Sequence, residues 1–249
     1  LPAGTPAEAD EILDASGLYV LPGFIDLHTH LDDRIGRFEL ADTYRSGSEG
    51  AIRNGITTLC SFVTQGASPL SGAVEIARAK AEGRTHCDLT WHLTPTRFDA
   101  EGWRDIDALW ERGFRTFKLY TTYRAAGIFC DYGAMDAVFA RLAPRGARFL
   151  VHCEDDAILQ ALDPAGLDLS KASSHARLRP EAAEIEAIHR VLDLAERRAA
   201  RLHVVHVSTV GGAEAIRAAK ATLDLTCETC PQYLWLDEGW LARPDGHRW

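Results

Sequence analysis

The sequence lacks the features that mark membrane proteins and nucleic-acid-binding proteins. No apolar run approaches the roughly 20 residues of a membrane-spanning helix, and residues 1–10 do not form a signal peptide. Acidic residues outnumber basic ones, 36 against 27, which gives a formal net charge of −9 at pH 7. We therefore expect neither nucleic acid nor a membrane as a partner, because both favour basic proteins.

The sequence also lacks the cysteine pattern of a disulfide-bonded secreted domain. Its six cysteines are scattered, and Cys60, Cys153 and Cys227 fall in strand-like apolar runs. This usage favours a reduced, cytoplasmic protein. Cys227 and Cys230 form a Cys-x-x-Cys pair with no second pair nearby. We interpret this stretch as the end of a strand and its loop, in preference to a zinc or redox site.

Strand-like and helix-like segments alternate almost throughout the chain. Its 249 residues, 46% of them hydrophobic, can bury one large core. The alternation predicts βαβ units and a parallel sheet that is covered on both faces. The predicted strands are 24–30, 55–64, 88–96, 116–122, 148–154, 202–209 and 223–230. The predicted helices are 42–54, 69–82, 103–112, 133–142, 180–200 and 211–221.

This order of elements predicts an α/β fold, a TIM-like (β/α) barrel that is truncated after the seventh strand. Residues 1–20 would be the tail of an N-terminal β-rich module, and residues 21–249 would form a barrel that is incomplete at its C-terminus. An accessory β-sandwich would be largely absent. Without an eighth strand, the first and seventh strands would lack a shared neighbour.

The most informative motif is a His-x-His pair at the end of the first predicted strand. Because side chains alternate along a strand, His28 and His30 project from the same side and can grip one metal ion. Lys118, His152 and His206 lie in or at the end of later strands, with Val204, His206 and Ser208 predicted to share one face. Taken singly, the last two histidines would more often be packing residues. Together, four histidines and a lysine at equivalent strand ends predict a site at the carboxyl face of the barrel.

These residues resemble those of the amidohydrolase superfamily, in particular its cyclic amidohydrolase branch of dihydropyrimidinases, hydantoinases, allantoinases and dihydroorotases. Arg179-Pro180 with Glu184 and the run 228–234, Glu-Thr-Cys-Pro-Gln-Tyr-Leu, are also similar to this branch. The resemblance covers essentially the whole chain.

The resemblance implies a centre of two divalent metal ions, zinc first. His28 and His30 would hold one ion, and His152 and His206 the other. Lys118, converted by CO₂ to a carbamate, would bridge the two ions. A hydroxide held between them would attack the amide carbonyl of the substrate.

The resemblance also implies a catalytic role for Tyr123, five positions after Lys118. At this spacing dihydropyrimidinases and hydantoinases carry a tyrosine that donates a hydrogen bond to the developing oxyanion, whereas dihydroorotases are not expected to. A loop aromatic is the alternative interpretation. We expect Asp26 and His92 to support or pack against the site. Glu154 and Asp155 are expected to hold the loop after the fifth strand.

Two departures from the family pattern stand out. The family's catalytic aspartate ends the eighth strand, and residues 231–248 supply no such strand, since Asp237 and Asp245 lie in polar, turn-rich surroundings. We therefore expect this stretch alone to be inactive or nearly so. The loop 32–37 is more polar than is usual after the His-x-His pair in hydantoinases. The sequence therefore does not indicate which side chain the substrate carries.

The expected function is metal-dependent hydrolysis of a C–N bond in a cyclic amide or ureide, with a hydantoin- or dihydropyrimidine-like ring as first choice. Dihydroorotase or allantoinase activity is the alternative within this class. A non-catalytic scaffold that kept the barrel is the alternative outside it. We also expect a homo-oligomer, either a dimer or a tetramer.

Overall fold

A sheet of seven parallel strands organises the structure, a computed structural model that describes residues 10–35 and 38–248. The described strands are β1 Phe24–Thr29, β2 Arg34–Ile35, β3 Phe38–Glu39, β4 Ile56–Thr64, β5 Asp88–Thr94, β6 Thr116–Tyr120, β7 Arg148–His152, β8 Arg201–Val204 and β9 Leu225–Cys227. The sheet runs in the order β1-β4-β5-β6-β7-β8-β9, and β2 pairs with β3 in a separate hairpin. This is the predicted α/β architecture, an incomplete TIM-like barrel.

Helices follow most strands and cover the outer face of the sheet. They are α1 Tyr44–Arg53, α2 Leu70–Ala81, α3 Ala100–Glu111, α4 Tyr132–Leu142, α5 Asp156–Ala161, α6 Ser173–Leu178, α7 Glu181–Arg198, α8 Val210–Ala219 and α9 Glu238–Leu241. Short 3₁₀ turns occupy Arg124–Ala126, Ala143–Arg145, Pro231–Leu234 and Gly246–Arg248.

Aspartate and threonine side chains fix where the helices begin. Asp99, Asp131 and Asp155 accept hydrogen bonds of 2.8–3.0 Å from backbone N–H groups in the first turns of α3, α4 and α5. Thr43 and Thr209 do the same for α1 and α8. Such caps satisfy backbone donors that the helix itself leaves unpaired. These side chains therefore define the first turn of each of the five helices.

The larger part of the core lies between the strands and the helices. Phe117 and Phe149 point outward from neighbouring strands and pack against α-helical residues such as Met135 and Phe139, all with no exposed surface. The next residue along each strand, Lys118 or Leu150, points to the inner face. A smaller apolar cluster, Phe62 with Leu150 and Val205, fills that inner face.

All seven predicted strands and six predicted helices are present, with bounds that differ from the predicted ones by up to five residues. The largest difference is β8, which ends at Val204 and not at residue 209. The hairpin of β2 and β3 and the helices α5 and α6 were not predicted. Residues 10–23 form no helix or strand, and apolar side chains such as Tyr19 are exposed there. Residues 1–9 lie outside the described part, so the N-terminal module stays a prediction.

The sheet is open between β1 and β9. Within the described residues β1 pairs only with β4, and β9 only with β8. Phe24 and Ile25 on β1 are 59% and 60% exposed. The two ends still approach each other, because the His28 side chain contacts Glu228, which follows β9. In the part of the chain that the structure describes, no helix has the length and apolarity needed to span a membrane.

Candidate functional site

Four of the predicted histidines converge at the carboxyl end of the sheet. The edge pair, His28 and His30, has ring centroids 5.4 Å apart, and the central pair, His152 and His206, has them 4.7 Å apart. The rings of His28 and His206 are 5.6 Å apart, which links the two pairs. β1 positions the edge pair, whereas β7 ends at His152 and His206 follows β8.

The central pair has the spacing of two ligands to one ion. His152 Nδ1 lies 3.0 Å from His206 Nε2. Two nitrogens at about 2.0–2.1 Å from a tetrahedral zinc ion stand roughly 3.3 Å apart. The other nitrogen of His152, Nε2, lies 2.7 Å from Glu154 Oε2. Since the carboxylate accepts a hydrogen bond there, the lone pair of His152 is on Nδ1 and faces His206.

The backbone that positions His206 differs from the continuous strand that its sequence pattern indicates. The predicted alternation of Val204, His206 and Ser208 along one strand is wrong, because β8 ends at Val204. His206 instead has φ 37°, in the left-handed region that a histidine rarely adopts. Glu184 on α7 holds the chain that follows, accepting bonds from the backbone N–H and hydroxyl groups of Ser208 and Thr209 at 2.7–3.1 Å. Strain of this kind persists where the surroundings enforce it, often at functional sites.

Lys118 lies at the base of the site with 1% of its surface exposed. Its Nζ is 5.1 Å from the centre of the Phe62 ring and 4.9 Å from that of Tyr120. Burial lowers the pKa of the Lys118 amine from 10.5 to about 7. Burial thus favours the neutral amine, which is a nucleophile, over the ammonium ion.

Burial favours the neutral forms of His30, His152 and His206. Burial, followed by the nearby charges of His28 and Lys118, lowers the pKa of His30 to about 4. Burial also lowers the pKa values of His152 and His206. Neutral imidazole carries the free lone pair that a metal ion requires.

The edge pair is braced by residues that sequence reasoning missed. Phe62 on β4 packs against both rings, with centroids 4.6 Å from His28 and 4.7 Å from His30. Glu228 Oε1 contacts His28 Nδ1, and its Oε2 lies 3.2 Å from His203 Nε2 without hydrogen-bond geometry. Burial raises the pKa of Glu228, but the contacts with His203 and His28 outweigh it and hold the pKa well below its usual range. The sequence feature that could have identified Glu228 as a site residue is its position, a carboxylate directly after a strand.

Tyr123 stands at the rim of the central pair. Its ring centroid is 4.9 Å from that of His152, and the Arg179 guanidinium lies 4.9 Å from the Tyr123 ring. Burial, and then the Glu154 carboxylate, raise the pKa of Tyr123, which keeps the phenol protonated as a hydrogen-bond donor. Like His206, Tyr123 has a left-handed backbone, with φ 71°.

Other candidate residues have supporting or remote positions. His92 Nδ1 bonds Thr116 Oγ1 at 2.8 Å and its Nε2 bonds the Leu27 carbonyl at 3.1 Å, so His92 packs inside the sheet as expected. Asp26 accepts a hydrogen bond of 3.0 Å from the His28 backbone. Asp237 and Asp245 serve local turns, through Gly239 N and the Arg243 side chain. Of the loop 32–37, residues 36 and 37 lie outside the described part.

The donor chemistry fits divalent cations, although the donor atoms do not surround a common point. Among residues 10–35 and 38–248, no group of three or more histidine, cysteine and acidic side chains is arranged to hold an ion. His28 uses its Nδ1 on Glu228, and a lysine ammonium cannot be a ligand. In the central pair His206 Nε2 donates a hydrogen bond of 3.0 Å to His152 Nδ1, so an ion would take the place of the shared proton, and the spacing of these two nitrogens already fits.

Comparisons with known proteins point to one family. The model of the Amidohydrolase family matches residues 19–232. The D-hydantoinase of Streptomyces coelicolor is 36% identical over 251 residues, covering 97% of this chain and 53% of that protein. An allantoinase of Escherichia coli O9:H4 is 32% identical over 240 residues, covering 92% of this chain and 52% of that protein.

Solved structures give the same result. A crystal structure of D-hydantoinase has a TM-score of 0.91 at 32% identity and covers 98% of this chain and 54% of that one. The dihydropyrimidinase from Brevibacillus agri has a TM-score of 0.90 at 31% identity, covering 96% of this chain and 53% of that one. The chain thus spans about half the length of the relatives that it matches. Since the family model covers most of the chain and the site residues lie where the fold brings strand ends together, the chain belongs to the amidohydrolase family.

Proposed function

We propose that this chain supplies the metal-binding part of a cyclic amidohydrolase, which hydrolyses a C–N bond in a hydantoin- or dihydropyrimidine-like ring. The observation that carries the proposal is Lys118, a fully buried lysine on the inner face of the sheet, whose charge acts on His30, His152 and His206. A buried amine without a paired carboxylate is costly in a purely structural role. The names of the relatives, D-hydantoinase and allantoinase, point to the same substrate class.

Lys118 would act as a carbamate. Its neutral Nζ attacks the carbon of CO₂, a C–N bond forms, and one proton is released from nitrogen to solvent. The product is an anionic group with two oxygen donors that can bridge two ions. The edge pair would bind one ion and the central pair the other, and imidazole with carboxylate-like oxygen donors suits zinc.

Bound divalent ions would polarise the substrate carbonyl and lower the pKa of water. The residues of the chain supply the rest. Tyr123, protonated and held beside His152, would donate a hydrogen bond to the oxygen that gains charge as the ring opens. Phe62 and Tyr120 line the base of the site and keep water away from Lys118.

Proton transfer needs a further group. The described residues place two carboxylates at the site, and both are engaged: Glu154 by His152 and Arg179, and Glu228 by His28. We therefore propose that the general base lies outside the described residues, and that residues 1–249 alone hydrolyse little or no substrate.

The six free cysteines support a reducing compartment, the cytoplasm.

Metal analysis and a hydrolysis screen test this function. We expect purified protein containing residues 1–249, loaded with zinc in bicarbonate buffer, to bind two ions per chain. The screen covers hydantoins, dihydrouracil, dihydroorotate and allantoin, and ring opening of the first two is expected once the general base is present. Preference for dihydroorotate or allantoin would move the function to those activities. Absence of bound metal would favour the non-catalytic scaffold.

A further inference from the structure

Glu154 lies directly behind one of the candidate metal ligands. Its Oε2 accepts a hydrogen bond of 2.7 Å from His152 Nε2, on the side of the ring away from His206. Glu154 is largely buried, and its backbone N–H donates a hydrogen bond of 2.8 Å to Thr121 Oγ1, which ties the backbone of Glu154 to the residue after β6. From this position it cannot reach an ion held by Nδ1 of the same ring, so direct ligation to that ion is excluded.

Arg179 joins Glu154 to Tyr123. Its Nη1 donates a hydrogen bond of 2.6 Å to Glu154 Oε2, the same oxygen that binds His152. Its guanidinium also lies 4.9 Å from the centre of the Tyr123 ring. The planar guanidinium can pair with a carboxylate and stack on an aromatic ring at once, which a lysine cannot do. Arg179 directly follows α6 and precedes Pro180, whose ring restricts the backbone there.

We propose that Glu154 and Arg179 are the positioning residues of the central pair. Glu154 fixes the proton of His152 on Nε2 and so turns the Nδ1 lone pair toward His206. Arg179 holds that carboxylate and the Tyr123 ring in one unit, so the metal ligand and the oxyanion donor keep a constant separation. The consequence for catalysis rests on the proposed function, whereas the choice of tautomer does not.

Nitrogen NMR of the metal-free chain, labelled with ¹⁵N-histidine, tests the tautomer first. We expect His152 to be neutral with its proton on Nε2 in the wild-type chain. In Glu154→Gln the uncharged amide removes most of this preference, so both tautomers become populated. A wild-type His152 that carries its proton on Nδ1, or a variant with an unchanged tautomer, would overturn the proposal. This readout needs no metal, so it stands apart from any failure of the proposed function.

Zinc affinity and kinetics provide the second readout. Loss of an outer partner of a metal-bound histidine typically costs roughly 10- to 100-fold in affinity or activity. We expect Glu154→Gln and Arg179→Gln to weaken zinc binding at one of the two sites by that factor, and Arg179→Lys to restore part of it.

In active protein, Arg179→Gln should also lower kcat more than it raises KM, because Tyr123 loses its support. Arg177→Gln, at an exposed position in the last turn of α6, is the matched control. Equal zinc affinity in Arg179→Gln and Arg177→Gln would contradict the role of Arg179, even if Glu154→Gln fails to fold.

Discussion

The edge pair and the central pair of histidines have the same chemistry but unequal support. β7, which carries His152, has hydrogen-bonded neighbours on both sides, β6 and β8. β1, which carries His28, has one described neighbour, β4, and a register shift precedes the histidine. Phe149 on β7 has no exposed surface, whereas Phe24 on β1 is 59% exposed.

This difference shows two ways in which a fold can position a metal ligand. The central pair is held by the sheet itself and by two carboxylates. Glu154 binds the His152 ring, and Glu184 accepts hydrogen bonds from the loop that follows His206. The edge pair relies on the packing of Phe62 and on a carboxylate that reaches across the open side of the sheet from β9. We therefore expect the two halves of the site to respond differently to substitution.

Lys118→Ala should have the largest effect, because Lys118 would bridge the ions of the two pairs. We expect loss of most bound metal from both halves, measured by elemental analysis. Short carboxylates such as acetate or propionate should restore part of the metal and of any activity, since they can replace the carbamate. Lys80→Ala, at an exposed lysine that bonds the Asp32 carbonyl at 2.9 Å, is the control. Full metal content in Lys118→Ala would rule out the bridging role.

One phenylalanine substitution on β7 and one on β1 compare the support of the two strands through the free energy of unfolding alone. Phe149→Ala should lower the free energy of unfolding by about 3–5 kcal/mol, as is usual for a buried phenylalanine. Phe24→Ala, on the open edge, should cost about 0.5 kcal/mol or less, because that ring is mostly exposed. Urea denaturation followed by circular dichroism measures both. Similar costs for the two variants would show that β1 is covered in solution, for example by the oligomer contact that we expect.

Tyr123→Phe should have the next largest effect, on kcat. Removal of one donor to an oxyanion usually lowers kcat by ~10²–10³. We expect that loss in active protein, with unchanged metal content, because the ring that packs on His152 remains. Steady-state kinetics with a hydantoin substrate measures the effect. Near-native turnover would make Tyr123 a packing residue and would favour a dihydroorotase-like site.

The strand-helix alternation was enough to predict the fold, because apolar runs flanked by caps are local signals. His28 and His30 could likewise be placed from their spacing on one strand. His206 could not, since its approach to the site depends on a left-handed φ that Glu184 stabilises from a distant helix. Glu228 was missed because its contact with His28 spans 200 residues of sequence and exists only when the ends of the sheet meet.

Acid should destabilise the protein through His92, whose Nε2 bonds the Leu27 carbonyl of the edge strand. Burial lowers the pKa of His92 from 6.5 to about 4. Between these pH values the unfolded chain binds more protons than the folded one, so stability falls as pH drops from 6.5 to 4. The fall amounts to at most about 3 kcal/mol. His92→Gln should flatten this part of the stability–pH curve from urea denaturation, and an unchanged slope would contradict the assignment.

Glu228→Gln should have the smallest effect, and it separates the two halves most sharply. The variant keeps the shape of the side chain but loses the charge that holds His28 through Nδ1. We expect zinc binding at the edge pair to weaken by roughly 10- to 100-fold, while binding at the central pair stays nearly constant. A two-site zinc titration against a chelator measures both affinities, and Glu238→Gln, at an exposed helix start, is the control. Equal weakening of both sites would mean that Glu228 acts through the whole sheet. In that case the open edge, and not the orientation of a single imidazole, would limit metal binding.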